Sequence, residues 1–343
     1  MKQLFKGRYL PNSTQKYLPL IVILTAIIGI IPLFFKNPYI LTLFSLIMIY
    51  GMLALSIDLL CGYLGLGSLG HAGFFGAAAY CCGYLSSKLM WGFVPTVLGT
   101  LLFTVALTAL FGFLTVKTWG VTFMMVNLAL SQIIWGLSLK LTSITNGDNG
   151  LMGIVRPQIF GIPLDDNVTF YYFIFVVFLL LLVFVYKLVN SPFGMTVMGI
   201  RQSPKRMQAL GFNVNKHKYI TFVISGVMAG VAGMMYVWFN RFVSPNNCST
   251  MASSKALLMS LVGGKGTLGG AILGSGIVVF LENIISTMTE RWQMILGILY
   301  IITVTCSPFG MVGIARNLYK KYQTQKKNQG LEAEKHGLSE KHK

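Results

Sequence analysis

Long apolar runs are the feature that most limits what this chain can fold into. A helix needs about 20 apolar residues to cross a hydrocarbon core about 30 Å thick. Lipid cannot satisfy open backbone groups, so such runs predict helices, and none shows the alternation of a membrane β-barrel strand. Runs of this kind occupy 18–35, 39–60, 64–87, 92–116, 119–139, 168–189, 218–239, 268–287 and 292–306, with a shorter, initially polar one at 248–263.

These runs predict an all-α polytopic integral membrane protein with about ten transmembrane helices. The eighth, 248–263, is expected to be short or re-entrant, and glycine is expected to interrupt several others. Charged residues make up 10% of the chain, against about 25% in soluble domains. Mean hydropathy is +0.69. Together these values exclude an ordinary cytosolic enzyme, a disordered chain and a disulfide-rich secreted protein.

The net charge of +18 therefore indicates membrane topology and lipid contact, with no nucleic acid implied. With ten crossings and a cytoplasmic N-terminus, 20 of the 27 Lys and Arg residues lie inside. Nine crossings would turn the basic C-terminal tail outward, so ten are preferred. This topology predicts a cytoplasmic basic segment 1–17, a transmembrane domain 18–312 and a disordered, basic cytoplasmic tail 313–343. The five cysteines and four histidines lack metal or redox spacing, so no metal or catalytic site is predicted.

Two glycine-rich segments are candidates for the translocation path. The first, GYLGLGSLGHAGFFGAAAY at 62–80, formally contains GxGxxG but follows a membrane helix, so a dinucleotide site is not expected. The second, GGKGTLGG at 263–270, is not a Walker A loop. Close helix packing and unwound turns explain both better. The candidate residues are Gly67, Ser68, Gly70, His71 and Gly73, and Gly264, Gly266, Thr267 and Gly269.

The two segments align over six positions, 65–70 with 264–269, each at the cytoplasmic start of a helix. Both an internal duplication and shared helix-start chemistry stay open. His71 is expected to be a neutral imidazole bonded to a neighbouring carbonyl, with a functional role as the alternative. Asp58 and Glu282 are the acids well inside apolar runs, and each is expected to reach a membrane interface. Two acids near opposite faces make a poor proton relay.

Two loops stand out. The cytoplasmic loop 190–217 is expected to contain a short basic helix, with Gly211 as its C-terminal cap. Such a helix could rest on lipid or dock on a partner protein. The external loop 140–167 contains the turn sequence NGDNG. Its candidate residues are Asp148, Asn149 and Gly150.

Four segments in this order resemble the LivM-type permease subunits of branched-chain amino-acid ABC transporters, within the LivH/LivM permease family. They are the glycine-rich segment 62–80, NGDNGLMGI at 146–154, the loop and helix 191–236, and 244–282. The likeness covers roughly residues 50–310. Urea, short-chain amide and other amino-acid importers use permeases of the same general kind. A stand-alone ion-coupled carrier or channel is the alternative from a different class.

The resemblance implies a multi-pass subunit of the prokaryotic inner (plasma) membrane with both termini cytoplasmic. A LivH-like permease, two cytoplasmic ATPase subunits and an extracytoplasmic binding protein would be its partners. ATP would be bound and hydrolysed by the ATPases, so this chain is expected to be neither an enzyme nor a cofactor carrier. The external loop would face the binding protein or cap the path, a simple turn being the alternative. The resemblance assigns the contact with the ATPase to Arg201, Lys205, Arg206, Gln208, Ala209, Leu210 and Gly211.

Three positions depart from the family pattern. Met207 and Gln208 stand where acidic and alanine residues are common, and Asp58 stands where a neutral amide is expected.

Overall fold

The computed structural model describes most of the predicted membrane domain. It covers residues 37–159 and 162–289, with Thr25, Ile28, Gly29, Pro32, Arg291, Met294, Ile295, Gly297, Ile298 and Ile301. The predicted segments 1–17 and 313–343 lie outside the described residues, as do most residues of the first and last predicted spans.

The described chain is built from helices joined by short connections. The helices are α1 (Pro38–Asp58), α2 (His71–Ser87), α3 (Phe93–Thr115), α4 (Gly120–Lys140), α5 (Thr142–Thr145), α6 (Asn167–Val189), α7 (Pro192–Gln202), α8 (Pro204–Ala209), α9 (Val214–Asn240), α10 (Thr250–Gly263) and α11 (Leu268–Met288). A π-helical turn, Leu59–Leu64, extends α1, and 3-10 turns lie at Gly147–Asn149 and Pro245–Cys248.

Six helices in the described part are long and apolar enough to cross a membrane. They are Pro38–Leu64, Phe93–Thr115, Gly120–Lys140, Asn167–Val189, Val214–Asn240 and Leu268–Met288. The prediction of an all-α polytopic membrane protein is confirmed. At 1.5 Å per residue, α10 with its 14 residues is about 21 Å long, short of a full crossing. Ten crossings and a re-entrant eighth segment stay predictions.

The predicted helix 64–87 begins later than expected. The π-helical turn ends at Gly65, whose φ of 82° is left-handed, and the chain stays irregular until α2 starts at His71. A left-handed residue ends a helix, and glycine adopts that conformation without strain. The sequence pattern indicated a glycine interruption but not its position.

Helix α9 lies at the centre of the bundle, against α1, α2 and α3. Its glycines permit this contact: a Cβ at Gly233 would lie 2.9 Å from the carbonyl carbon of Phe75 in α2. Gly226 and Gly230 face Thr108 and Thr104 of α3 in the same way. Small residues let membrane helices approach closely. The two threonine hydroxyls donate to carbonyls one turn earlier, at 2.7 and 2.8 Å, so they are satisfied within α3.

Four two-residue strands lie at one end of the bundle. β1 (Leu151–Met152) pairs antiparallel with β4 (Phe242–Val243), with Leu151 opposite Val243. β2 (Gln158–Ile159) pairs with β3 (Ile162–Pro163) in a hairpin. The β1–β4 pair joins the loop after α4 to the segment after α9. The boundaries predicted for the external loop, 140–167, agree with the end of α4 and the start of α6.

Candidate translocation and coupling sites

The two glycine-rich segments meet through Asp58, at the end of α1. The Asp58 Oδ1 accepts a hydrogen bond from the Gly266 backbone N–H at 2.8 Å and one from the Ser260 hydroxyl at 3.1 Å. A Cβ at Gly62, in the π-helical turn, would lie 2.7 Å from the Cα of Gly266. The carboxylate therefore ties α1 to the loop between α10 and α11.

The interface position expected for Asp58 stays a prediction, but its side chain does not reach solvent. Asp58 is only 1% exposed. The loop N–H of Gly266 needs an acceptor, and a buried carboxylate oxygen supplies a strong one. The second oxygen of Asp58 has no hydrogen-bond partner among the described residues.

Arg201 links the loop helix α7 to the same place. Its guanidinium donates to the backbone carbonyl of Gly62, and a Cβ at Gly65 would lie 2.8 Å from the Arg201 Cγ. Arg201, which resemblance assigned to the ATPase contact, is thus turned towards the membrane domain. We call the cluster of Asp58, Gly62, Arg201, Ser260 and Gly266 the glycine junction.

His71 bridges three parts of the bundle at the start of α2. Its Nδ1 lies 3.0 Å from the Ser68 hydroxyl, and its Nε2 lies 2.6 Å from the Ser225 hydroxyl of α9. Ser225 in turn donates to the carbonyl of Ser56 in α1. The partners are hydroxyls, where a backbone carbonyl was expected, and the imidazole is linked to a backbone carbonyl, that of Ser56, only through Ser225. The fully buried imidazole thus fixes the packing of α1, α2 and α9.

The remaining glycine candidates serve close packing and tight turns. Gly67, Gly70 and Gly73 lie against α4, where a Cβ at Gly70 would be 2.7 Å from the Asn127 carbonyl oxygen. In the second segment Gly264 and Gly266 have φ of 119° and 73°. The Thr267 hydroxyl donates to the Gly264 carbonyl at 2.7 Å, and Gly269 is buried at the start of α11.

The predicted single helix of the cytoplasmic loop is two helices. They break at Ser203, whose φ of −160° and ψ of 97° are extended. The residue before a proline is pushed out of the helical region, and Pro204 follows. The expected cap at Gly211 is confirmed by its φ of 85°.

Helix α8 and the residues after it form an exposed surface. None of the residues of α8 is buried. Leu210 is 71% exposed and Phe212 41%. We call the exposed residues Lys205, Arg206, Gln208, Ala209, Leu210, Gly211 and Phe212 the loop surface. It combines positive charge with exposed apolar side chains, although the Phe212 ring also contacts the His217 ring edge-on.

The described part of the loop 140–167 contains a turn at residues 146–150 that is anchored to the bundle. Asn146 and Gly147 have left-handed φ of 63° and 61°, which confirms the predicted turn. Asp148 and Asn149 are exposed, whereas Gly150 is buried, with its carbonyl accepting from the Asn146 side chain at 3.2 Å.

Sequence reasoning missed the residue that anchors this loop, Arg156. Arg156 is 8% exposed, and its guanidinium carbon lies 4.3 Å from the ring centre of Phe170. It donates to the carbonyls of Asp165 at 3.1 Å and Trp238 at 3.3 Å. Burial lowers the pKa of Arg156, and nearby Arg241 lowers it further. A single arginine in a loop gives no sequence signal of this role.

A cavity of about 760 Å³ lies between α1, α2, α9, α10, α11 and residues 244–249. Lys255 of α10 and Glu282 of α11 form an ion pair in its wall, with side chains 16% and 21% exposed. The Lys255 Nζ also lies 4.2 Å from the ring centre of Tyr50. The interface position expected for Glu282 stays a prediction, and a partner on the neighbouring helix holds its carboxylate. Lys255 was missed, although opposite charges within two adjacent apolar runs were a usable signal.

No group of three metal-ligating side chains that could hold an ion occurs within the described ranges.

Comparison with known proteins places this architecture. Residues 39–304 match the family described as branched-chain amino acid transport system / permease component. The chain is 27% identical to the high-affinity branched-chain amino acid transport system permease protein LivM of Escherichia coli, over 79% of this chain and 69% of that one. The LivM protein of Salmonella typhimurium is 26% identical over the same shares.

A shorter match reaches the second permease type. The probable LivH permease of Methanocaldococcus jannaschii is 28% identical over 41% of this chain and 47% of that one. No solved structure matches the chain. The family match covers most of the chain and every crossing helix described above. This chain therefore belongs to the branched-chain amino-acid transport permeases, as a membrane-embedded transport subunit of the LivM type.

Proposed function

We propose that this chain forms half of the translocation pathway of an ABC importer for branched-chain amino acids. A LivH-like permease forms the other half, two cytoplasmic ATPase subunits bind and hydrolyse ATP, and an extracytoplasmic protein delivers the substrate. Its place is the prokaryotic inner membrane, with both termini cytoplasmic. Similarity to LivM and LivH permeases supports this assignment.

The observation that carries the proposal is the loop surface. Its apolar residues Leu210 and Phe212 are exposed beside basic residues, and exposed apolar patches with a polar rim are typical of protein contacts. The ATPase docks there. Because α8 follows α7 directly, a displacement of the loop surface is transmitted to Arg201.

Arg201 passes the movement to the pathway. It holds the Gly62 carbonyl, and Asp58 holds the Gly266 N–H. The two glycine-rich segments at the starts of α2 and α11 therefore move with α7. Turns at Gly65 and Gly266, both with left-handed φ, allow these segments to change direction without side-chain clashes. Alternating access results when ATP binding favours one of two packings.

A photo-cross-linking side chain at Gln208 tests the docking site. In the assembled importer it should cross-link to an ATPase subunit. The matched control is Met90, which is 78% exposed in the short connection between α2 and α3, at the opposite end of α2 from the glycine junction. Cross-linking of the ATPase from position 90 and not from position 208 would contradict the proposal, because it would place the ATPase at the opposite end of the bundle.

A further inference from the structure

The cavity wall carries two side chains of opposite charge, although charged side chains are rare inside membrane domains. Lys255 and Glu282 face it from adjacent helices and pair with each other. Each side chain keeps some exposure, so both are accessible from the cavity. Ionisable groups inside membrane segments usually mark a substrate or ion pathway.

Apart from the pair, the wall is mostly aromatic and aliphatic, with five neutral polar residues in its lining: Ser244, Asn246, Asn247, Ser249 and Ser254. The ring centres of Tyr50 and Tyr236 are 6.1 Å apart, and that of Phe75 lies 5.1 Å from Tyr236. Apolar side chains that also line the cavity are Leu53, Leu69, Met251, Leu258 and Val278. The volume of about 760 Å³ lies within the range of small-molecule sites, about 300–1,000 Å³.

We propose that the Lys255–Glu282 pair binds the charged end of a zwitterionic α-amino acid, while the aromatic wall takes its apolar side chain. The ligand carboxylate pairs with Lys255, and the ligand ammonium pairs with Glu282. This inference rests on the proposed function and names the residues that select the substrate class.

The charge balance explains why a zwitterion fits. Moving an unpaired charge into a low-dielectric site is very costly. A zwitterion replaces one protein ion pair with two protein–ligand ion pairs, so no charge is left without a partner. Urea or a neutral amide has no charges to offer and would leave Lys255 and Glu282 separated without compensation. The pair therefore favours amino acids over neutral amides.

ATP-driven uptake of labelled leucine by the reconstituted importer tests this. Lys255→Gln and Glu282→Gln should each reduce uptake at least about tenfold, because each leaves one charge unpaired. The decisive variant is the double replacement Lys255→Met with Glu282→Met. A purely structural ion pair can be replaced by apolar side chains with little loss, so uptake near the wild-type rate in that double variant would overturn the proposal. The proposal predicts uptake reduced at least about tenfold, with assembly and thermal unfolding temperature retained.

Lys88 provides the matched control. It is exposed in the short connection between α2 and α3 and does not line the cavity, so Lys88→Gln should leave uptake unchanged.

A ligand-binding measurement on the wild-type importer decides the question if the double variant does not fold. Without the binding protein, leucine should raise the thermal unfolding temperature of the complex. At equal concentration, 4-methylpentanoate, which lacks the ammonium, and 3-methylbutylamine, which lacks the carboxylate, should not. Equal shifts from all three compounds would refute the pairing. Absence of any ATP-driven leucine uptake by the wild-type importer would instead refute the proposed function itself.

Discussion

Leu210 offers the sharpest test of how the ATPase is held. It lies just after α8 and is 71% exposed, so Leu210→Ala removes little from the fold. Full burial of a leucine side chain contributes about 1.5–3 kcal/mol. Burial of only the exposed fraction of Leu210 against the ATPase would therefore contribute about 1–2 kcal/mol to the binding free energy. Since 1.4 kcal/mol is a factor of ten, the Kd for the ATPase subunit should rise about 5–30-fold.

The assay is titration of purified ATPase subunit onto the detergent-solubilised permease pair. Leu102→Ala is the matched control, because Leu102 is 74% exposed but lies within the membrane-crossing helix α3. It should leave the Kd unchanged. A Leu210→Ala variant that binds the ATPase within twofold of wild type would contradict the docking of the loop surface.

Three further predictions concern the glycine junction and the bundle. Arg201→Met keeps the side-chain stem but removes the hydrogen bond to the Gly62 carbonyl. ATP hydrolysis should persist, while leucine uptake per ATP hydrolysed should fall about tenfold, which corresponds to the loss of a charged hydrogen bond. An unchanged ratio of uptake to hydrolysis would contradict transmission through Arg201. Asp58→Leu should lower the free energy of unfolding in detergent by about 1–3 kcal/mol by leaving the Gly266 N–H unpaired, whereas Asp58→Asn, which keeps an acceptor, should stay close to wild type. Gly233→Ala should lower the free energy of unfolding by about 1–3 kcal/mol, because the new Cβ would meet the Phe75 backbone. Gly136→Ala is the control: a Cβ there has nothing within 4 Å, so this change should be neutral or stabilising. Equal unfolding curves for the two variants would contradict the α2–α9 packing.

The crossing helices are readable from the sequence because lipid demands continuous apolar runs. The cytoplasmic loop was readable in part, since the Gly211 cap follows local rules. The break at Ser203 follows an equally local rule, the effect of a proline on the residue before it, and was overlooked.

The contacts of the buried polar groups could not be predicted from the sequence. Asp58 bonds Gly266 and His71 bonds Ser225, and no local pattern relates residues so far apart in the chain. The interface positions expected for Asp58 and Glu282 rest on distance to a helix end, and that distance does not predict the partners on other elements that hold the two carboxylates. The role of Arg156 becomes visible only in the folded chain, because it bonds groups on other elements, whereas the opposite charges of Lys255 and Glu282 in adjacent apolar runs could have been noticed in the sequence.

Leucine transport in proteoliposomes tests the central claim most directly. This chain alone, with or without ATP, should move no labelled leucine. The same chain reconstituted with the LivH-like permease, the ATPase subunits and the binding protein should accumulate leucine only when ATP is supplied. Leucine transport by the isolated chain, driven by its own gradient or an ion gradient, would contradict the account and identify a carrier.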